Sequence, residues 1–191
     1  ENCTSLSTLV FRCTPKRIEK RAFKGCLLLE HFSVLLDDIS YDNWAIKLEY
    51  IGDYAFSGCI MDTHYLVLGP DLEFLGRSAF NSCFSIIEVN MQLCTKLDTI
   101  GESAFYYCFS LQKIYLPSTI TTIESKAFAD CSSLQQIYIP DPAVEGKTMN
   151  ISLGVSTFQG CEEFTGFTNR CNITHIGDSC FDHASALAFY P

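Results

Sequence analysis

Eleven cysteines and four histidines are the residues with chemistry to offer in this 191-residue chain. Thiolates and imidazoles that converge can hold zinc, and a cysteine beside a base can act as a nucleophile. The spacing supports neither role. There is no C-x-x-C or H-E-x-x-H, and His31, His64, His175 and His183 are scattered. His175 and His183 straddle Phe181 and could approach each other, but a polar surface role is the better reading. No G-x-S-x-G elbow, Walker loop or G-x-G-x-x-G occurs. Asp37, Asp38 and Asp42 could bind calcium, yet the D-x-D-x-D-G spacing is missing, which leaves solvated charges. No catalytic residue, cofactor or metal is therefore expected. A hydrolase would need a convergent histidine or acid pair that the sequence does not reveal.

What orders the cysteines is a repeat. Cys26, Cys59, Cys83, Cys108, Cys131 and Cys161 each follow a phenylalanine: Phe23, Phe56, Phe80, Phe105, Phe128 and Phe158. A seventh, degenerate copy holds Cys180-Phe181 and Ala184. The Phe-to-Phe steps are 33, 24, 25, 23, 30 and 23. Ahead of each Phe stands a branched aliphatic: Ile18, Ile51, Leu75, Ile100, Ile123, Leu153 and Ile176. Behind it comes a third column, Leu29, Asp62, Ile86, Leu111, Leu134, Phe164 and Leu187, in which only Asp62 fails.

A unit this short cannot bury its own apolar face, so successive units must stack. The stretch L-x-x-I-x-L-P alternates as a strand does and ends on proline. The stretch I-G-x-x-A-F-x-x-C is a turn of the coil. Gly52, Gly76, Gly101 and Gly177 are expected to serve it with positive φ. Parallel strands about 4.8 Å apart would make a sheet roughly 30 Å long from seven units. The Phe column would become an aromatic ladder inside the coil, and the Cys column a row of small buried groups.

The pattern resembles the leucine-rich repeats of BspA-like proteins, a 23-residue class, and residues 100–140 carry it almost letter for letter. The resemblance spans about residues 18–187. It implies an α/β-type leucine-rich repeat solenoid, strand-rich with short helical or irregular turns, a parallel sheet on one face and about seven repeats. It also implies adhesion or ligand display rather than catalysis, since relatives include surface proteins of bacteria and mucosal protists. The expected organisation is an N-terminal cap over 1–17 and a solenoid over 18–191, its last repeat truncated at LAFYP.

A formal charge of −9 argues against a nucleic-acid binder, and no apolar run is long enough to span a bilayer. The expected partner is a protein, such as extracellular matrix or a host cell surface. Its contacts would be outward strand residues: Glu88 and Asn90, then Gln112, Lys113 and Tyr115, then Gln135, Gln136 and Tyr138. Tyr115 and Tyr138 should stand side by side, either to bind a partner or only to strengthen the sheet. Insertions near 34–49 and 141–152 should leave the coil as loops. The first holds Trp44, which either covers a gap or contacts a ligand. Lys16, Arg17, Lys20, Arg21 and Lys24 read as a polar cap, with an anionic glycan or lipid head group as the alternative.

The column cysteines read as reduced and structural, although adjacent coils approach disulfide spacing. Cys3 and Cys13, outside the column, are candidates for a clamping disulfide. Asn2, Asn150 and Asn172 open N-x-S/T sequons, with Asn150 placed in a loop where a glycan would fit. Sequons and family favour the cell surface or secretion. Free thiols favour the alternative, an intracellular scaffold for protein–protein interaction.

Overall fold

The computed structural model describes residues 1–11, 13–29, 31–36, 39–41, 44–61, 63–141 and 146–187, and the backbone alone for 31–36, 39–41, 44 and 46. Asp37, Asp38, Asp42 and Asp62 lie outside the described residues, as does the LAFYP terminus beyond Leu187.

In chain order the strands are β1 (Thr8–Phe11), β2 (Arg17–Ile18), β3 (His31–Leu36), β4 (Ile39–Tyr41), β5 (Tyr50–Ile51), β6 (Tyr65–Val67), β7 (Phe74–Leu75) and β8 (Glu88–Asn90). They continue with β9 (Thr99–Ile100), β10 (Lys113–Tyr115), β11 (Thr122–Ile123), β12 (Gln136–Tyr138), β13 (Asn150–Leu153), β14 (Gly166–Phe167) and β15 (Asn172–Ile176). The coil is a parallel-strand solenoid, as expected, with one 3-10 turn at Trp44–Lys47 as the helical element among the described residues.

Each full coil contributes two strands. One set stacks as β6-β8-β10-β12-β14 and forms the main sheet. The second ladder contains the aliphatic residue ahead of each Ala-Phe. It runs β2-β5-β7 and then β9-β11-β13-β15. The expected single sheet therefore has a counterpart that was read only as a turn. The main sheet stacks five strands rather than seven, because the first insertion interrupts it. That insertion folds back as β4, antiparallel to β3. Its 3-10 turn contacts both β3 and β6, and Ala45 and Leu48 sit in the core. The extra residues fill a gap in the stack instead of leaving it as a loop.

Seven turn segments share one backbone signature. Two positions per coil have positive φ, two residues before and two after the Phe. The first set is Arg21, Tyr54, Ser78, Ser103, Lys126, Ser156 and Ser179. The second is Gly25, Gly58, Ser82, Tyr107, Asp130, Gly160 and His183. Between them the backbone bonds to the next coil, as in Phe56 N–H to Ala79 O and Phe105 N–H to Ala127 O, at 2.8 and 2.9 Å. Two sharp bends per coil are held by these rungs, which offset the left-handed cost at non-glycine residues.

The glycines after the aliphatic column have a different reason from the one expected. Gly52, Gly76, Gly101 and Gly177 do not have positive φ. A Cβ on Gly101 would sit 2.6 Å from Leu75 O and 2.9 Å from the Gly76 carbonyl carbon. The coils touch backbone to backbone there, and no side chain fits. Gly101→Ala is expected to destabilise by about 1–3 kcal/mol through overpacking. At an open position with ordinary φ, the same change would stabilise by about 0.4–1 kcal/mol. A urea midpoint that rises in this variant would contradict the close approach.

The interior follows the columns. Phe23, Phe56, Phe80, Phe105, Phe128, Phe158 and Phe181 form one ladder, with adjacent centroids 5.4, 5.3, 5.5, 5.6, 5.7 and 5.6 Å apart and nearly parallel planes. Beside it runs the thiol column. Cys59, Cys83, Cys108, Cys131 and Cys161 each donate Sγ–H to the Phe carbonyl of the preceding coil, at 2.9–3.1 Å. That carbonyl already accepts the backbone N–H of its own coil's Cys, as Phe56 does from Cys59 at 3.0 Å. A cysteine is small enough for the interior and supplies the donor for the second lone pair. Departures from the pattern are satisfied locally. Thr157, in the Ala column, donates to Gly154 O at 2.8 Å. Met61, one residue before the Asp62 that broke the third column, is buried, and β6 starts one residue further from its Phe than β8 and β10 do.

Residues 1–17, read as a cap, carry the repeat's own register. β1 pairs in parallel with β3, Thr8 with His31 through Phe11 with Val34. Asn2 has φ 53, as the matching position has in later coils. Leu6 N–H bonds to Cys3 O as Leu29 N–H does to Cys26 O. The segment covers the first full coil by repeating it, and Cys3 is its column cysteine.

Candidate recognition face

β6, β8, β10 and β12 each point the central residue inward and the flanking residues outward. Leu66, Val89, Ile114 and Ile137 are buried and in register. Outward, one row reads Tyr65, Glu88, Lys113 and Gln136, and the next Val67, Asn90, Tyr115 and Tyr138. Of the expected contacts, Glu88, Asn90, Lys113, Tyr115, Gln136 and Tyr138 are brought together on this face. Tyr115 and Tyr138 stack at 4.4 Å with planes 15° apart. Partial burial, the Glu88 carboxylate and the neighbouring Tyr138 all push the Tyr115 phenol above its ordinary pKa. The Tyr115 phenol therefore stays neutral, and the pair offers hydroxyls for donation and ring faces for contact.

Gln112 and Gln135 fall just before their strands. Gln112 accepts from the Gln135 N–H and so serves the ladder, and the Gln135 side chain donates to Glu163 at 3.1 Å. Asn90 is partly committed, since its Oδ1 accepts the Gln92 N–H at 3.0 Å. Of Trp44, only the backbone in the 3-10 turn is described. Tyr65, 67% exposed on the same face, was missed because the frame shift at Asp62 moved it out of the aligned row.

Four of the five basic residues are paired with acids of their own and adjacent coils, and Lys24 lies 5.1 Å over the Tyr54 ring. Lys16 meets Glu49 at 2.6 Å, Arg17 meets Glu19 at 2.9 Å, Lys20 meets Asp53 at 3.5 Å and Arg21 meets Glu1 at 3.5 Å. Arg17 also lies 4.0 Å over the Tyr50 ring. Exposed pairs of this kind contribute little each, and the arrangement fits a polar covering of the first coils.

Cys3 and Cys13 are exposed and not bridged in this structure. Cys3 interacts instead with Cys26, its neighbour in the column. The column thiols resist ionisation. Burial pushes Cys59, Cys108 and Cys161 up to about 12, and Cys83 and Cys131 well above the ordinary value. Asn150 is not in a loop. It opens β13 and pairs in register with Asn172 in β15, and the Asn172 side-chain amide donates to Asn150 Oδ1 at 2.9 Å. Among the described residues, no cluster of three or more His, Cys, Asp or Glu could hold a metal ion, and no helix is long and apolar enough to cross a membrane.

The model of the BspA type leucine rich repeat region matches residues 1–41, 36–149 and 144–189, in six copies. The chain belongs to the BspA-type leucine-rich repeat family. A BspA-type chain has a protein-interaction repeat fold, and its relatives are typically non-catalytic binding scaffolds. No curated protein matches the sequence significantly. Among solved structures, this BspA-type coil is similar to the leucine-rich repeat protein of T. pallidum, at 23% identity and TM-score 0.70, over 95% of this chain and 78% of that one. It is similar to a leucine-rich cell surface protein from Faecalibacterium prausnitzii, at 22% identity and TM-score 0.58, covering 97% of this chain and 59% of that one. A leucine-rich repeat protein from Bacteroides ovatus gives 18% identity and TM-score 0.53, over 97% and 66%. At these identities the likeness is one of fold. The BspA-type chain spans less than two thirds of the last two proteins.

Proposed function

We propose that this chain is a non-enzymatic recognition module, displayed at the cell surface or secreted, that adheres to a protein partner such as host extracellular matrix. The observation that carries the reading is the Tyr115–Tyr138 stack at 4.4 Å, set among polar residues on a regular sheet. Stacked tyrosines offer a large, rigid, amphipathic contact at low entropic cost. Glu88, Asn90, Lys113 and Gln136 surround it in register and would set orientation, with Gln112 and Gln135 along one margin and Trp44 a further candidate. Membership of the family supports the reading, as does the similarity to a protein described as a cell surface protein. The thiols do not oppose it. The buried column thiols, such as Cys108 and Cys161, are held protonated and so are poor nucleophiles that resist oxidation.

The test is binding of the full chain to immobilised extracellular-matrix proteins. Tyr115→Ser with Tyr138→Ser should leave the melting temperature within a few degrees and weaken binding by roughly tenfold or more. Unchanged affinity for an identified matrix partner rejects this face as the contact.

At the surface of a glycosylating cell, Asn2, Asn150 and Asn172 are the candidate acceptors. Asn150 and Asn172 are one rung apart with their amides hydrogen-bonded, so two glycans would collide at about the 4.8 Å strand spacing. Intact-mass analysis after expression in eukaryotic cells should show at most one of the pair occupied per molecule. Both occupied on one molecule would contradict the register.

A further inference from the structure

A second surface lies on the turn edge, away from the main sheet. Its aromatic residues come from the positions just after each Phe of the ladder. Phe84 and Phe109 stack at 4.5 Å, and Tyr107 meets both edge-on at 6.4 and 6.2 Å. Tyr107 is 46% and Phe109 42% exposed. In the next coil the positions of Tyr107 and Phe109 hold Asp130 and Ser132, and in the one after it Gly160 and Glu162. The aromatic row therefore stops, and a hollow of about 470 Å³ opens beside it. Its lining comprises Tyr107, Phe109, Asp130, Ser132, Gln159, Gly160, Glu162 and His183.

The composition of that lining is uneven. Two half-exposed rings form one wall, and two carboxylates, an amide, a hydroxyl and the His183 imidazole line the rest. No lysine or arginine lines it, in a chain of net charge −9. The Asp130 carboxylate is placed by the Tyr106 hydroxyl, which is hydrogen-bonded to it. It also crowds the site of a Cβ at Gly160, where φ is +72. A side chain at Gly160 would close the hollow over the carboxylate.

We propose that this hollow binds an arginine side chain from a basic segment of a protein partner, independently of the tyrosine face. A guanidinium is planar and can lie on the Phe109 or Tyr107 ring while its fork donates to Glu162 and Asp130. An ammonium matches the charge but not the fork. A neutral sugar would use the rings and leave the two carboxylates without a counter-charge.

The test is titration of the full chain with a fluorescent tri-arginine peptide in low salt. Saturable binding is expected, with tri-lysine about fivefold weaker. Tyr107→Ser with Glu162→Gln should weaken it roughly tenfold. Ser132→Phe, which extends the row begun by Phe84 and Phe109 into the hollow, should remove binding while far-UV circular dichroism stays unchanged. Tyr115→Ser with Tyr138→Ser should bind tri-arginine like the parent, so failure of the sheet face and failure of this site are separable. Absence of saturable binding, an affinity unmoved by Tyr107→Ser with Glu162→Gln, or displacement of the peptide by cellotriose would overturn the proposal.

Discussion

Phe105→Ala is expected to lower the stability of the chain by about 3–5 kcal/mol, the range for emptying a large buried aromatic site. The ring is fully buried and has parallel neighbours on both sides, Phe80 at 5.5 Å and Phe128 at 5.6 Å. Removing it costs the transfer energy of the ring and leaves a cavity between rigid rungs. The flanking coils cannot close over that cavity, because Gly101 already holds them backbone to backbone. The ladder stacking adds about 0.5–1.5 kcal/mol per pair to the loss. Phe181→Ala, at the half-buried end of the same row, should cost distinctly less. Urea unfolding followed by circular dichroism measures both. Equal and small shifts would mean the rings do not share one column.

The second large effect is alkaline. Burial raises Cys59, Cys94, Cys108 and Cys161 from the ordinary 9.0 to about 12. The folded state favours the neutral thiol, so unfolding releases protons once the pH passes 9. The stabilisation is complete below pH 9 and is lost as pH rises from 9 towards 12. Each such thiol acts in the same direction, so their losses add. The urea midpoint should be flat from pH 7 to 9 and fall steadily above it. The fall should be shallower in Cys108→Ala, which deletes one titrating group. A midpoint that holds to pH 12 would mean the column is open to water.

Much of this architecture was legible because a stacked coil writes its contacts into a period. The Phe, Cys and aliphatic columns each correspond to one line of side chains along the axis. The tyrosine pair was legible for the same reason, since equal positions in adjacent coils become neighbours in a parallel sheet. What was not legible depends on spacing across coils. Gly76 and Gly101 looked like turn residues because glycine usually signals φ, whereas here it signals backbone contact between rungs. The second strand ladder was hidden in two-residue strands such as Thr99–Ile100, too short to show alternation. Asn150 read as loop because the insertion before it hides the start of β13, and its pairing with Asn172 appears only once the register is known. The hollow beside Phe109 is made by small residues, Ser132 and Gly160, where the row of large ones ends. A search for reactive residues passes over such a site.

The central claim is that one row of phenylalanine rings runs through every coil, and nuclear Overhauser contacts in ring-labelled protein test it most directly. Centroids 5.3–5.7 Å apart predict cross-peaks linking Phe56 to Phe80, Phe80 to Phe105 and Phe105 to Phe128, with none that skip a ring. Cross-peaks joining Phe56, Phe80, Phe105 and Phe128 in any other order, or any of these four rings without such a neighbour, would contradict the stacked coil.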